Sequence, residues 1–174
     1  MTKVFIAGSR SLSRLTADVK HRIDTMIDKG FTILVGDASG ADKAVQRYLA
    51  ENGFRNVIVH CMAGNCRNNI AGWPTREISA APGSRGFAYY STKDLAMVND
   101  AEYGLILWDG ESKGTLNNVI NLVHQNKMVV VYFAPQKSFH NLRSPGDVTQ
   151  LLANLDPARV QYLQRQLGIE TQIA

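Results

Sequence analysis

Short apolar segments alternate with longer segments of helical periodicity from the start of this chain to about residue 133. Five segments rich in β-branched residues are predicted to be strands: 3–7, 31–35, 56–60, 103–108 and 127–133. They are apolar almost throughout, which is typical of strands buried on both faces of a sheet. Between the first two, Val19, Ile23 and Ile27 recur at helical spacing, and similar apolar stripes follow the second and fourth strands.

Strands separated by amphipathic helices are joined by right-handed crossovers, which produce a mainly parallel sheet between two helical layers. We therefore predict an α/β fold, an open Rossmann-like three-layer sandwich with a sheet of at least five strands. The length of 174 residues fits a single domain. Its core is expected to reach about residue 134, and a C-terminal helical extension over 135–174 is expected to contain helices at 147–154 and 157–167.

Several classes of protein are disfavoured by what the sequence lacks. The longest uninterrupted apolar run covers 128–134, whereas a membrane span needs about 20 residues. The apolar stretch 4–7 is too short for the core of a signal peptide, so a cytoplasmic protein with no membrane partner is expected.

Cys61 and Cys66 are expected to be free thiols. With His60 they provide only three zinc ligands at an unfamiliar spacing, so neither a metal nor a cofactor is expected.

The segment 62–90 interrupts the alternation, because it contains several glycines and prolines and no apolar period. We predict a long loop that faces a ligand or acts as a lid. The overlapping segment 61–93 holds +3 of the net charge of +4. Its charged residues are Arg67, Arg76, Glu77, Arg85 and Lys93. This concentration fits either an anion site or a solvated basic loop.

Three glycine-containing turns, 8–11, 36–42 and 109–115, each follow a predicted strand and precede a predicted helix. In a parallel sheet such turns meet at one edge, where ligands bind. Glycine lets the backbone approach a phosphate, and the following helix presents free N–H groups and the positive end of its dipole. Helix capping alone accounts for any one of these turns. Three at one edge predict phosphate-binding loops.

The candidate ligand-binding residues in these turns are Gly8, Ser9, Arg10, Gly36, Asp37, Ser39, Gly40, Asp42, Asp109, Gly110, Ser112, Gly114 and Thr115. Arg10 is suited to bidentate pairing with a phosphate, although a surface salt bridge is an equal alternative. Asp37 is expected at a strand tip, where a carboxylate can bind ribose hydroxyls or act as a base. Asp42 is also explained by its place in a first helical turn. Neither G-x-x-x-x-G-K-[ST] nor G-x-G-x-x-G is present, which disfavours NTP hydrolysis and NAD-dependent redox chemistry.

Four segments resemble, in order, the YspA/cpYpsA-related branch of the SLOG superfamily: 3–10 (KVFIAGSR), 35–42 (VGDASGAD), 93–98 (KDLAMV) with Ala101, and 108–115 (WDGESKGT). That superfamily also contains the cytokinin-activating LOG phosphoribohydrolases and the DNA-uptake protein DprA. The resemblance spans about 3–133. It implies a Rossmann-like domain that senses or processes a nucleotide or nucleotide-derived ligand. LOG-like relatives dimerise through helices, so it also implies a homodimer by analogy.

The chain departs from the LOG pattern at two positions. LOG enzymes carry a Gly-Gly-x-Gly-Thr-x-x-Glu loop whose Glu assists cleavage of an N-glycosidic bond, and an Arg four residues before a Met. Here Asn117 is taken to replace the Glu, and Lys93 replaces the Arg before Met97. Both join the candidate ligand-binding residues. Asn cannot serve as a general base, so Asp37 and Asp94 become the candidate catalytic carboxylates.

Three functions follow as hypotheses. The first is binding of a nucleotide or nucleotide-derived phosphoribosyl ligand at the carboxyl edge of the sheet. The alternative is an N-glycosidic-bond hydrolase or transferase acting on a nucleotide, as in LOG enzymes. DprA-like nucleic-acid binding ranks third, because +4 is a modest charge and the basic residues lie in one segment rather than along a groove-reading helix or an aromatic platform.

Overall fold

The computed structural model describes residues 1–169, and in this part of the chain strands and helices alternate. The strands are β1 (Lys3–Gly8), β2 (Thr32–Gly36), β3 (Val57–Met62), β4 (Thr75–Ile78), β5 (Tyr103–Trp108), β6 (Met128–Phe133) and β7 (Ser138–Leu142). The α-helices are α1 (Ala17–Asp28), α2 (Ala41–Glu51), α3 (Gly86–Asp100), α4 (Lys113–His124), α5 (Pro145–Leu152) and α6 (Pro157–Leu167). A short 3-10 turn, Ala134–Gln136, joins β6 to β7.

All seven strands form one sheet in the order β4-β3-β2-β1-β5-β6-β7. The first six in this order are parallel, and β7 is antiparallel to β6. The chain proceeds outward from β1 to β4, and α3 then carries it back to β5 on the other side of β1. A topological switch point therefore lies between β1 and β5, the position at which open α/β sheets bind ligands.

The strands alternate their side chains between two helical layers, as the sheet pleat requires. Val4 and Ile6 of β1 pack with apolar residues of α1 and α2. Phe5 and Ala7 face the opposite layer, formed by α3, α4 and the two C-terminal helices α5 and α6. The predicted α/β three-layer architecture is confirmed. Helices α5 and α6 lie within the predicted C-terminal extension over 135–174, which also contains β7 and of which residues 170–174 lie outside the described part of the chain. No helix within residues 1–169 is long and apolar enough to cross a membrane.

The predicted long loop over 62–90 is wrong in two stretches. Residues Thr75–Ile78 form β4, which pairs in parallel with β3, and α3 begins at Gly86. The sequence of β4, TREI, is mostly exposed and has no apolar pattern, so backbone hydrogen bonds rather than side-chain burial define it. β7 was missed for the same reason, because SFHNL has little of the apolar character of the central strands.

Between β3 and β4 the chain forms an ordered connection instead of a free loop. The indole Nε1 of Trp73, a 7% exposed residue, donates to the carbonyl of Phe54 at 2.9 Å. Gln46 of α2 reaches the same connection, since its amide donates to the carbonyl of Asn68 at 3.0 Å and accepts from the backbone N–H of Ile70 at 3.0 Å. These contacts hold the connection against α2 and the end of β2.

Candidate functional site

A cleft of about 560 Å³ opens at the carboxyl ends of β1, β2 and β5. One wall is formed by the turns that follow β1 and β5, and the other by the first turns of α3. Its lining is, in chain order, Ala7, Gly8, Arg10, Ser11, Ala38, Asp42, Arg67, Gly86, Phe87, Tyr90, Ser91, Lys93, Asp94, Asp109, Ser112, Lys113, Gly114, Thr115 and Asn118. The cleft therefore lies at the switch point that the topology defines.

The turns after β1 and β5 are joined by hydroxyl groups. Ser9 is buried, and its Oγ accepts from the backbone N–H of Asp109 at 3.1 Å and lies 3.2 Å from Thr115 Oγ1. Thr115 in turn donates to the Oγ of Ser112, the N-cap of α4, at 2.9 Å. The two glycine turns are thus one connected unit, and the start of α4 is held at the cleft wall.

Asp109 stabilises the second of these turns rather than presenting a free carboxylate. Its Oδ1 accepts from the backbone N–H groups of Glu111 and Ser112 at 2.8 and 2.9 Å, and its Oδ2 accepts from Ser11 Oγ at 2.6 Å. Burial by itself would raise the pKa of Asp109, but these hydrogen bonds lower it below its ordinary value. Asp109 is therefore ionised at neutral pH and already engaged in hydrogen bonds.

Lys93 is the central cation of the cleft floor. Its side chain is only 3% exposed, and its Nζ lies 3.2 Å from Asp94 Oδ1 and 3.5 Å from Asp37 Oδ1. Burial would lower the pKa of Lys93, but the carboxylates of Asp94, Asp42 and Asp37 raise it, so the ammonium group remains charged. Gly36 makes this arrangement possible, because a Cβ at this position would collide with the carboxylate of Asp42 and lie 2.8 Å from Lys93 Nζ.

Asp37 lies beneath the cleft and is not part of its lining. Its two oxygens accept three hydrogen bonds from Arg67, from the backbone N at 2.9 Å, Nε at 3.1 Å and Nη2 at 2.7 Å. Burial would raise the pKa of Asp37, but the bonds from Arg67 and the charge of Lys93 hold it below its ordinary value. The side chain that the sequence placed in the crevice instead positions Arg67, which does line it.

Two buried acceptors on the floor have no partner among the described residues. Asp42 is 5% exposed, and its Oδ2 accepts from the backbone N–H of Ala38 at 3.2 Å while its Oδ1 is unpaired. Asn118 is 4% exposed, and its Nδ2 donates to Asp94 Oδ2 at 3.3 Å while its Oδ1 is unpaired. Burial raises the pKa of Asp42 to about 6, although the charge of Lys93 opposes the shift.

Cations and aromatic rings alternate at the mouth of the cleft. The guanidinium of Arg67 lies 4.5 Å from the ring centroid of Tyr90, and that of Arg10 lies 5.9 Å from the same ring. Lys113 Nζ lies 4.8 Å from the ring centroid of Phe87. We call Arg10, Arg67 and Lys113 the cationic rim. The cleft therefore offers positive charge and ring faces at its mouth and hydrogen-bond acceptors at its floor.

Most of the residues selected from the sequence converge on this site. The lining contains Gly8, Arg10, Asp42, Lys93, Asp94, Asp109, Ser112, Gly114 and Thr115. Ser9, Gly36 and Asp37 lie directly behind it as supporting residues.

Four selected residues lie outside the lining: Ser39, Gly40, Gly110 and Asn117. Ser39 is exposed, and Gly40, at φ +77°, lies against the backbone of Arg10. A Cβ at Gly110 would lie 3.1 Å from the Phe133 ring, on the side away from the cleft. Each residue of a helix turns by about 100°, so Asn118 of α4 faces the cleft and Asn117 does not.

Sequence reasoning did not select Arg67, Phe87, Tyr90, Lys113 or Asn118 as site residues. Arg67 was visible only as part of the basic segment, and the two aromatic residues were assigned to a loop. The spacing Gly-Thr-x-x-Asn over 114–118 was a usable signal for Asn118. No pattern in the sequence indicates that the first turns of α3 cross over β1 to reach the cleft.

Comparison with known proteins identifies a fold and not a family. No family model matches this chain, and no curated protein matches it. Among solved structures, it is similar to DNA processing protein A (DprA) from Helicobacter pylori, which is described for its single-stranded DNA binding mode. The TM-score is 0.53 at 19% sequence identity, over 75% of this chain and 64% of that one. The likeness supports the Rossmann-like fold, and the chain spans less than two thirds of its neighbour.

Proposed function

We propose that the cleft binds a nucleotide or a nucleotide-derived phosphoribosyl ligand, as expected for the SLOG superfamily and its YspA/cpYpsA-related branch. The observation that carries the proposal is the composition of the cleft at the switch point. The cationic rim, the rings of Phe87 and Tyr90 and the buried acceptors of the floor together match a ligand that has an anionic group, a flat base and hydroxyl donors.

The anionic group belongs at the rim between Arg10 and Lys113. Arg10 is exposed, so its guanidinium is free to pair with two phosphate oxygens. Lys113 is the first residue of α4, and the partial positive charge of that helix end adds to its own charge. The volume of about 560 Å³ lies within the range of small-molecule sites, roughly 300–1,000 Å³.

Calorimetry with nucleoside mono- and diphosphates, NAD and ADP-ribose tests this proposal. Arg10→Ala and Lys113→Ala are each expected to weaken binding by about tenfold or more, since hydrogen bonds to charged groups contribute about 1.5–3 kcal/mol. Lys29→Ala is the matched control, because Lys29 is the C-cap residue that follows α1, remote from the cleft, and also lies over an aromatic ring, that of Phe31. Absence of binding, or equal losses in all three variants, would contradict the proposal.

Of the two carboxylates selected from the sequence as catalytic, Asp94 is the one that lines the cleft, because Asp37 is engaged with Arg67 outside the lining. Asp94 lines the cleft with a side chain that is 24% exposed, between Lys93 and Asn118. Chromatography of the same mixtures for released base separates a binder from an enzyme. Free base that appears with the wild type and is absent with Asp94→Asn would support hydrolysis. Ligand that binds and stays intact would support a sensor or carrier.

A second candidate is binding of single-stranded nucleic acid, which the DprA neighbour favours. Tyr90 and Phe87 beside the cationic rim supply ring faces and charge, the combination that single strands use. Fluorescence anisotropy with labelled oligonucleotides at rising salt discriminates the two candidates. Affinity that falls steeply with salt and increases with strand length indicates the nucleic acid, whereas competition by a mononucleotide indicates the small ligand.

A further inference from the structure

Resting on the proposed function, we propose that the floor of the cleft recognises the sugar of the ligand through its hydroxyl groups, with Asp42 and Asn118 as the two acceptors, and so selects ribose over deoxyribose. Both residues line the cleft, both are more than nine-tenths buried, and each has one oxygen without a partner among residues 1–169. Two unpaired acceptors in one cleft require donors that the described part of the chain does not supply.

The surrounding groups leave these two oxygens for a ligand. Lys93 Nζ is shared between the carboxylates of Asp37 and Asp94, and the amide nitrogen of Asn118 is directed at Asp94. Asp42 Oδ2 is already satisfied by the backbone N–H of Ala38. Asp42 Oδ1 and Asn118 Oδ1 are therefore buried acceptors of the cleft that remain unpaired among residues 1–169, and the chemistry that matches them is a pair of O–H donors.

The arrangement of the cleft favours sugar hydroxyls over the donors of a base. The aromatic rings of Tyr90 and Phe87 at the mouth offer faces on which a flat base would stack, whereas the floor is made of charged and amide groups. When the phosphate of a nucleotide binds between Arg10 and Lys113, its sugar lies nearer to the floor than the phosphate does. Ribose presents two adjacent hydroxyls, at C2′ and C3′, and thus one donor for each open acceptor.

A ligand that lacks one of these hydroxyls leaves a buried acceptor unpaired in the complex. Sites built to hydrogen-bond a hydroxyl discriminate strongly against analogues without it, because the desolvated polar group gains no compensation. We expect each missing hydroxyl to weaken binding by at least about tenfold, the scale of the penalty for leaving one buried acceptor unpaired.

Calorimetry on the full chain compares the ribonucleoside 5′-monophosphates of the four common bases with their 2′-deoxy and 3′-deoxy counterparts. Tighter binding of a ribonucleotide than of either deoxy analogue supports the inference. Equal affinities across a series overturn it but leave the proposed function standing. If none of these compounds binds, the inference fails, and the proposed function fails with it only when the diphosphates, NAD and ADP-ribose do not bind either. A preference for the 2′-deoxy series contradicts the inference and favours the single-stranded DNA candidate.

Variants of the floor residues test which side chains produce the preference for ribose over deoxyribose. Asn118→Ala and Asp42→Asn are expected to bring the ribo and deoxy affinities to within a few fold of each other. Asn117→Ala is the matched control, because its neighbouring position on α4 lies outside the lining, and it should keep the wild-type ratio. The assignment of Asp42 and Asn118 as the acceptors is overturned if Asn117→Ala loses the preference for ribonucleotides. It is also overturned if both floor variants keep that preference. The wild-type comparison stands even if a floor variant fails to fold.

Discussion

Arg67 donates three hydrogen bonds to Asp37 across 30 residues of sequence, one from its backbone nitrogen and two from its guanidinium. The same guanidinium covers the ring of Tyr90 at the mouth of the cleft. Asp37 thereby connects the turn after β2 to the β3–β4 connection and to α3. Its buried carboxylate orients a rim cation and is not itself part of the cleft lining.

This relationship predicts a particular acid sensitivity. Because the pKa of Asp37 is held below its ordinary value of about 3.9, its ionisation stabilises the fold above that pH, and the stability is lost as pH falls through the lower folded pKa. Arg67→Ala should reduce the free energy of unfolding by about 2 kcal/mol at pH 7, since Arg67 is partly exposed, and by less below pH 4. Urea denaturation from pH 3 to 7 measures both effects.

The control for this prediction is Arg85→Ala, which removes an exposed arginine from the same basic segment. Its unfolding free energy should stay within about 0.5 kcal/mol of the wild type. A destabilisation of Arg67→Ala that does not diminish in acid would mean that packing against Tyr90, rather than the ion pair, accounts for it.

Asp42 should show the opposite dependence on pH. Burial raises its folded pKa to about 6, above the unfolded value, so the fold favours the protonated form and stability decreases as pH rises from about 4 to about 6. Asp42→Asn removes this titration. The unfolding free energy of Asp42→Asn minus that of the wild type should therefore increase over this interval, by on the order of 2–3 kcal/mol. A constant difference between pH 4 and pH 7 would show that Asp42 has no raised pKa.

Gly36 is expected to tolerate no side chain. A Cβ there would meet the carboxylate of Asp42 and the ammonium of Lys93, both held in a buried network. Gly36→Ala should lower the unfolding free energy by about 1–3 kcal/mol and weaken ligand binding as the floor shifts. Gly146→Ala is the control, because a Cβ there would meet the Ser144 hydroxyl at an ordinary contact distance of 3.7 Å and alanine favours a helix, so this variant should be unchanged or slightly more stable.

The hydroxyl link between the β1 and β5 turns can be measured by a double-mutant cycle. Ser9→Ala leaves the N–H of Asp109 unpaired in a part-buried site and should cost about 1–3 kcal/mol. Thr115→Val removes the other hydroxyl of the pair. The losses should be less than additive, with a coupling of at least about 0.5 kcal/mol. Additive losses would show that the two hydroxyls, 3.2 Å apart, do not interact energetically.

The central strands were predictable because burial on both faces requires an apolar run, and β1, β2, β3, β5 and β6 begin and end within two residues of the predicted segments. The edge strands β4 and β7 were not predictable, because backbone pairing at the edge of a sheet does not require an apolar run. The order of the strands is also absent from local sequence, since it depends on which way α3 crosses.

The same distinction applies to the site. Residues in the glycine turns were found because their backbone geometry has a sequence signal, as for Gly8 and Ser112. The residues that α3 and the β3–β4 connection contribute, Tyr90 and Arg67, come from segments without periodicity. Whether a carboxylate faces the cleft or supports another side chain depends on its partners in three dimensions. Asp94 faces the cleft, whereas Asp37 supports Arg67.

The central position of β1 has a consequence for the order in which the molecule assembles. β1 pairs with β2 about 30 residues later in the sequence, but its other partner, β5, follows about a hundred residues later, as in the pairing of Phe5 with Gly104. Contacts between such distant residues close large loops and form slowly during folding. The hydrogen bond from Asp109 to Ser9 also spans 100 residues, so the cleft should be completed only after the two halves of the sheet have joined.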